Sequence, residues 1–185
     1  MPDASRLVIL DRDGVINQDS DAYIKSLAEW IPYPASIDAI ARLSRAGWTV
    51  AIATNQSGIA RGLYDESTLA LMHAELEKQV AEAGGRIAQI AYCPHGPGDG
   101  CSCRKPLTGL LERIRDTMGL ESLAGSWMVG DSLRDLQAGE PMGCRLALVR
   151  TGKGRLTEAK GIGIAGVHVF DDLAAFTDWL LISTS

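Results

Sequence analysis

The feature that most constrains this chain is its rhythm. Short runs that are apolar at nearly every position alternate with longer stretches of helical periodicity. Strands are expected at 7–10 (LVIL), 48–53, 87–92, 127–129, 146–149 and 167–170. Between them, 34–45 sets Ile37, Ile40, Ala41 and Ser44 at helical spacing and stops at Gly47. Asp65 can cap a longer helix whose stripe is Leu69, Met72, Leu76, Val80 and Ala83, ended by Gly84 and Gly85. Further helices are expected at 107–118, 133–138 and 173–181. A strand with one wetted face would alternate polar and apolar residues; these do not, so both faces are covered. The pattern predicts an α/β fold built on a doubly wound parallel sheet. The 185 residues, 46% of them hydrophobic, suffice for one such domain over 1–185 without disulfide staples.

Composition removes several functions. Lys and Arg number 18 against 23 Asp and Glu, and aromatics are only 5%, so the basic, aromatic surface of a nucleic-acid-binding module is not expected. No apolar run approaches the ~20 residues of a membrane span. Asp3 stands where a secretory signal carries basic residues, and Asp11 cuts the first apolar run short. A cytoplasmic monomer acting on a small molecule is the expectation.

Two segments break the rhythm, 17–32 and 93–106, and both follow strands, where α/β folds build their sites. Asp11 stands at the end of the first strand, with Asp13 two residues on and Gly14 permitting a tight turn. A polar turn is one account of such a pair. If buried, however, two carboxylates this close need a cation or a shared proton. Mg²⁺, which takes a few hard oxygen ligands and keeps waters, meets that need. One carboxylate held in line can attack a phosphoryl group and form an aspartyl-phosphate. The second can protonate the departing alkoxide and then activate a water.

Other strand ends offer matching groups. Thr54 closes the second strand with a hydroxyl, and Asn55, Gln56 and Ser57 follow with backbone amides that can donate to phosphate, although a small polar turn reads the same way. Asp131 follows the fourth strand, with Asp135 four residues on; a helix N-cap would look alike. Shared place favours a site, because in a doubly wound sheet the strand carboxyl ends lie on one rim. Asp11, Asp13 and Asp131 would then hold Mg²⁺ and Thr54 would face the phosphate. Lys105 would act as a point charge on it, while the Arg104 fork could take a second anionic group.

Cys93, His95, Cys101 and Cys103 fall within eleven positions as C-x-H and C-x-C pairs. Three cysteines and a histidine are a common tetrahedral zinc set, and thiolates favour Zn²⁺ over Mg²⁺. Gly96, Gly98 and Gly100 let the loop 93–103 fold back on itself. With protein filling all four positions, the zinc is expected to be structural, fixing the loop that leads into Arg104 and Lys105. Cys144 stands apart as an expected core thiol.

The blocks DRDGVIN (11–17), TNQSGIARG (54–62), CRKP (103–106) and GDSLRD (130–135) together resemble the haloacid dehalogenase-like phosphohydrolase superfamily. The CPH and CxCRKP elements narrow the likeness to its branch of sugar-bisphosphate and histidinol-phosphate phosphatases. The resemblance implies a Rossmann-like core, with Asp11 as nucleophile and Asp13 as general acid/base. It implies Mg²⁺ bound by Asp11, the Asp13 carbonyl and Asp131. It further implies Thr54 and Lys105 on the phosphoryl oxygens, Arg104 in substrate recognition, and sugar-facing loops at Asp19 and at Asn55, Gln56 and Ser57. Ser132 stands where a lysine often follows the metal-binding aspartate, so the substrate contact at that position is expected from a serine. Core elements and the zinc loop consume the chain between Asp11, Thr54 and Lys105, so no separate cap domain is expected. An open site suits a substrate with bulk beyond the phosphate, such as a sugar bisphosphate. Histidinol phosphate is the rival substrate. A receiver domain also combines an acidic pair, a threonine and a lysine, but it places its phosphoacceptor after the third strand, where this chain has the cysteine loop.

Overall fold

Strand β1 (Leu7–Leu10) shows why the sheet is buried on both sides: all four residues are enclosed, and successive side chains go to opposite faces. Val8 and Leu10 join one core cluster, Leu7 and Ile9 the other. The computed structural model describes residues 3–184. With β2 (Thr49–Asn55), β3 (Gln89–Cys93), β4 (Trp127–Gly130), β5 (Arg145–Val149) and β6 (His168–Phe170), β1 builds a six-stranded sheet in the order β3-β2-β1-β4-β5-β6. Every pairing is parallel.

Helices cover both faces. Against the first lie α1 (Pro34–Arg45), α2 (Glu66–Glu82) and α6 (Leu173–Ser183), which bring Ile37, Ile40, Leu69, Met72, Leu76, Val80 and Phe176 to the core. Against the second lie α3 (Gly109–Thr117) and α4 (Leu133–Gly139), with Leu110, Leu111, Ile114 and Ala138. The local signals are the expected ones. Pro34 opens α1 in the first turn, where its missing N–H costs nothing. Asp65 caps α2 by accepting from the Thr68 amide at 2.8 Å. Residues 154–160 were not expected as a helix and form α5 (Gly154–Lys160); only Gly154 and Thr157 are buried there, so no apolar stripe announces it. The third helix starts two residues later than its pattern, because the Gly109 amide is committed to the Ser102 carbonyl at 3.0 Å.

The chain runs outward from β1 to β3 on one side, then resumes at β4 beside β1 and runs outward to β6. The crevice at such a reversal, beyond the carboxyl ends of β1 and β4, is where this topology binds ligands. Leu10 pairs with both Ile52 and Val129, and the Asp11 amide donates to the Val129 carbonyl at 3.0 Å. Asp11 therefore leaves the sheet in that crevice. Two excursions flank it. Residues 11–33 are pinned where the Gln18 amide meets the Ile31 carbonyl and the Tyr33 amide meets that of Ile16. Residues 94–108 are held where the Ala60 amide reaches the Pro94 carbonyl.

Candidate active site

A cavity of about 220 Å³ opens at the strand reversal. Of the residues singled out in the sequence, Asp11, Asp13, Asp19, Asn55, Gln56, Ser57, Arg104, Lys105, Asp131 and Ser132 line it. Thr54 does not line it: it is buried, and its hydroxyl accepts from Gln56 Nε2 at 3.0 Å. The second strand runs two residues further than expected, so Thr54 lies within the sheet and Gln56 comes forward instead.

Lys105 is the pivot. Its side chain is 2% exposed, and Nζ donates to Asp11 Oδ1 at 3.0 Å, Asp135 Oδ1 at 2.6 Å and the Ala53 carbonyl at 2.7 Å. Burial disfavours its charge, but the two carboxylates more than reverse that and raise its pKa. Asn55 fixes the backbone beneath it, donating to the Lys105 carbonyl and accepting from the Lys105 amide, both at 3.0 Å. Asp135 thus joins the cavity lining, a place the sequence did not assign it. Its position four after Asp131, opening α4 in a capping box with Ser132, was the available signal.

Burial, with the negative charge of Asp135, pushes Asp11 up to about 7 despite Lys105. Burial and the charges of Asp11 and Asp135 likewise raise Asp131. Oxygens of Asp11, Asp131 and Asp135 lie within 4.8 Å of one another. Asp135 has both oxygens engaged, one by Lys105 and the other by the Ser132 amide and hydroxyl. Asp11 Oδ1 takes Lys105 and the Arg12 amide, and Asp131 Oδ2 takes the Lys153 amide at 2.9 Å. Asp11 Oδ2 and Asp131 Oδ1 remain without a donor among the described residues. Two hard oxygens on mutually repelling, buried carboxylates fit a divalent cation such as Mg²⁺. Gly14 is shaped to this pair. At φ +86° it crosses directly over the Asp131 carboxylate, which any Cβ there would strike.

Asp13 is held in the opposite state. Burial alone would raise it, but Arg12, Asn17 and Gln56 bring it below the ordinary carboxylate range. Its Oδ1 accepts from Arg12 Nε at 2.9 Å, Arg12 Nη2 at 2.7 Å and Asn17 Nδ2 at 2.9 Å. Its Oδ2 accepts from Gln56 Nε2 at 3.1 Å, and the Tyr64 hydroxyl anchors Gln56 by donating to its Oε1 at 2.5 Å. Tyr64, Arg134 and Lys153 also line the cavity and were not singled out from sequence. Lys153 sits 3.8 Å from Asp19, a pair that only the fold brings together.

The cysteine loop brings three thiols together: Cys103 Sγ is 2.8 Å from Cys93 Sγ, and Cys101 Sγ is 3.7 Å from it. The expected fourth ligand is not with them. His95 is exposed, and the cluster comprises Cys93, Cys101 and Cys103 alone. Cys93 and Cys103 pack into the core against α3, a force that does not act on the imidazole. Burial pushes the Cys93 thiol up to about 12, whereas the Arg104 amide lowers that of Cys101. Cys144 is buried as expected, against the Ser126 hydroxyl at 3.3 Å.

A parallel 3-2-1-4-5-6 sheet with an acidic pair after β1, a lysine reaching Asp11 and an aspartate after β4 defines a HAD-like phosphohydrolase. A family model described as HAD-hydrolase-like matches residues 102–176. The chain is 59% identical over 175 residues to a D-glycero-beta-D-manno-heptose-1,7-bisphosphate 7-phosphatase of Pseudomonas aeruginosa, covering 95% of this chain and 97% of the relative. The D,D-heptose 1,7-bisphosphate phosphatase of Bordetella bronchiseptica, solved with magnesium and phosphate, superposes with a TM-score of 0.93 at 53% identity, covering 96% of this chain and 99% of that one. The corresponding Burkholderia thailandensis structure gives a TM-score of 0.74 at 44% identity, covering 95% and 98%. The chain belongs to the family of D-glycero-beta-D-manno-heptose-1,7-bisphosphate 7-phosphatases.

Proposed function

We propose that this chain removes the 7-phosphate of D-glycero-D-manno-heptose 1,7-bisphosphate through an aspartyl-phosphate on Asp11, a step toward ADP-heptose for the lipopolysaccharide core. The carrying observation is identity of 59% across nearly the whole of both chains to a relative with that named activity. The relatives' names specify the β anomer.

An Asp11 oxygen attacks phosphorus while the bond to the sugar oxygen breaks, and the departing oxygen takes a proton from Asp13. Asp13 rests as a carboxylate, and a docked phosphate dianion raises its proton affinity by charge repulsion, which loads it as an acid. Asp13 then takes a proton from water, which attacks the phosphorus, frees inorganic phosphate and restores Asp11. Lys105 steadies the phosphoryl oxygens and holds Asp11 ionised against its burial. Asp11, Asp131 and the Asp13 carbonyl are the groups that would hold Mg²⁺, whose double charge offsets the approach of anion to anion.

Arg104 and Arg134 crowd at the cavity mouth without an ion pair among the described residues. Burial and then Arg134 lower the Arg104 pKa. Two uncompensated guanidiniums there support a substrate carrying a second anionic group, hence a bisphosphate over histidinol phosphate. The three-thiol cluster supports a structural Zn²⁺ with His95 turned inward as fourth ligand, and a reducing, cytoplasmic setting. The test is turnover of a panel containing both heptose bisphosphate anomers, histidinol phosphate and simple sugar monophosphates, with and without Mg²⁺. Asp11→Asn serves as control. Preference for histidinol phosphate, or normal turnover by Asp11→Asn, would overturn the reading.

A further inference from the structure

His73 lies on the buried side of α2, 8% exposed, in a segment that contributes no lining residue to the cavity. An apolar side chain would serve the core there, between Leu69, Met72 and Leu76. Instead its Nε2 stands 3.2 Å from Arg12 Nη1. A guanidinium has only donors, so Nε2 must be the acceptor and the ring must be neutral. Burial, with Arg12 beside it, lowers the His73 pKa to about 3, in agreement. The same Arg12, fully buried, turns its other edge to Asp13 and gives both Nε and Nη2 to the single oxygen Oδ1.

We infer that His73 is a positioning residue: it fixes the plane of Arg12, and Arg12 in turn decides which Asp13 oxygen serves the cavity. Asp13 Oδ1, with three donors, has no lone pair left for a proton, whereas Oδ2 has only Gln56. Oδ2 is the atom that gives the proton to the departing sugar oxygen. The guanidinium is planar, so anchoring Nη1 at one end sets the direction of Nε and Nη2 at the other. Without His73 the plane can turn, Oδ1 loses donors, and the proton is shared between two oxygens of which only one is aimed. The inference rests on Asp13 acting as the acid.

The test compares kcat/KM for an alkyl phosphate, the sugar bisphosphate, with that for an aryl phosphate whose leaving group departs without a proton. Kcat/KM reports events up to the first phosphoryl transfer, so only the alkyl substrate senses the acid. His73→Leu is expected to lose about 10-fold on the alkyl substrate, with KM unchanged, and under about 2-fold on the aryl one, since misplaced acid catalysis forfeits part of a 10²–10⁴ effect. His73→Gln, which restores an acceptor near the place of Nε2, is expected to recover most of the loss. Arg12→Lys, which keeps the charge but not the plane, should reproduce the alkyl-selective defect should His73→Leu fold poorly. Asp13→Asn is the control. If it lacks the alkyl-selective loss, the acid assignment itself fails. If it shows that loss while His73→Leu and Arg12→Lys lose equally on both substrates or not at all, the positioning role is overturned and the acid assignment stands.

Discussion

Lys105→Met tests the electrostatics of the cavity most directly. Methionine fills the volume of the lysine stem, so the change removes one charge and three hydrogen bonds rather than opening a hole. Asp11 and Asp135 then stay buried, 9% and 1% exposed, with no cation between them. Removing one partner of a buried ion pair costs about 3–5 kcal/mol, and the upper end is expected because two carboxylates lose the same cation. The sign with pH is fixed. A buried acid whose pKa is raised keeps a proton in the folded state that the unfolded chain has released, so stability falls as pH climbs from about 3.9 to the folded value. Asp11 already sits at about 7 with Lys105 present, and without it the value moves higher. Between about pH 5 and about pH 9, the penalty relative to wild type is therefore constant below about pH 7, where both folded proteins hold the Asp11 proton, and grows as pH climbs above it, by roughly 1.4 kcal/mol for each unit of additional shift. Urea unfolding of both proteins in EDTA across that range measures it. At neutral pH kcat/KM should also fall by about 10² or more, as the nucleophile becomes protonated and the phosphoryl group loses its cation. A stability difference that stays flat across the range would refute the claim that Lys105 favours the ionised form of Asp11.

Gly14→Ala forces a Cβ into the left-handed region and onto the Asp131 carboxylate; about 1–3 kcal/mol of stability should be lost, and the Mg²⁺ needed for half-maximal phosphatase activity should rise about tenfold. Cys101→Ser should reduce bound zinc, measured by elemental analysis, from stoichiometric to trace while circular dichroism still reports the sheet; unchanged zinc would exclude the cluster as its site. His73, depressed to about 3, stays neutral when folded, so its contribution to stability is complete above about pH 6.5 and is lost as pH falls toward 3; His73→Gln should flatten the slope of the unfolding midpoint in that window.

The fold was legible because buried parallel strands leave a coarse mark: runs such as LVIL can hardly be anything but strands enclosed on both faces. The site was legible where a group sits next to a strand end, since Asp11 and Asp131 inherit their place from chain order. What escaped lies at one remove. Asp135 reads as an ordinary helix cap, and it performs that role with Ser132 while its other oxygen takes Lys105. His73 sits in a helical stripe and looks like a core residue; only the packing of α2 over the turn after β1 turns it into the acceptor for Arg12. Lys153 and Asp19 are separated by most of the chain, and no spacing rule joins them. Thr54 turns on a narrower matter: strand ends shift by a residue or two, and because the second strand runs on to Asn55 the Thr54 hydroxyl stays buried and shares the Gln56 amide with Asp13 instead of lining the cavity.

The charges around the cavity explain why a divalent cation belongs to the reaction itself. Asp11, Asp13, Asp19, Asp21, Asp131 and Asp135 line it against only Arg104, Lys105, Arg134 and Lys153, so six carboxylates face four cations. Counting Arg12 behind Asp13 still leaves the set negative once all six are ionised, the state in which Asp11 can attack. A phosphate ester brings its own negative charge, and a bisphosphate doubles it, so the bare protein repels the anion it is shaped to hold. Two added positive charges held beside Asp11 and Asp131 would reverse that balance at the point where phosphorus would meet a carboxylate. They would also favour the ionised form of Asp11, whose burial otherwise keeps a share of it protonated near neutral pH. Binding and nucleophile activation would then depend on the same ion. Raising Mg²⁺ should improve KM and kcat together, whereas an ion needed only to anchor substrate would improve KM alone.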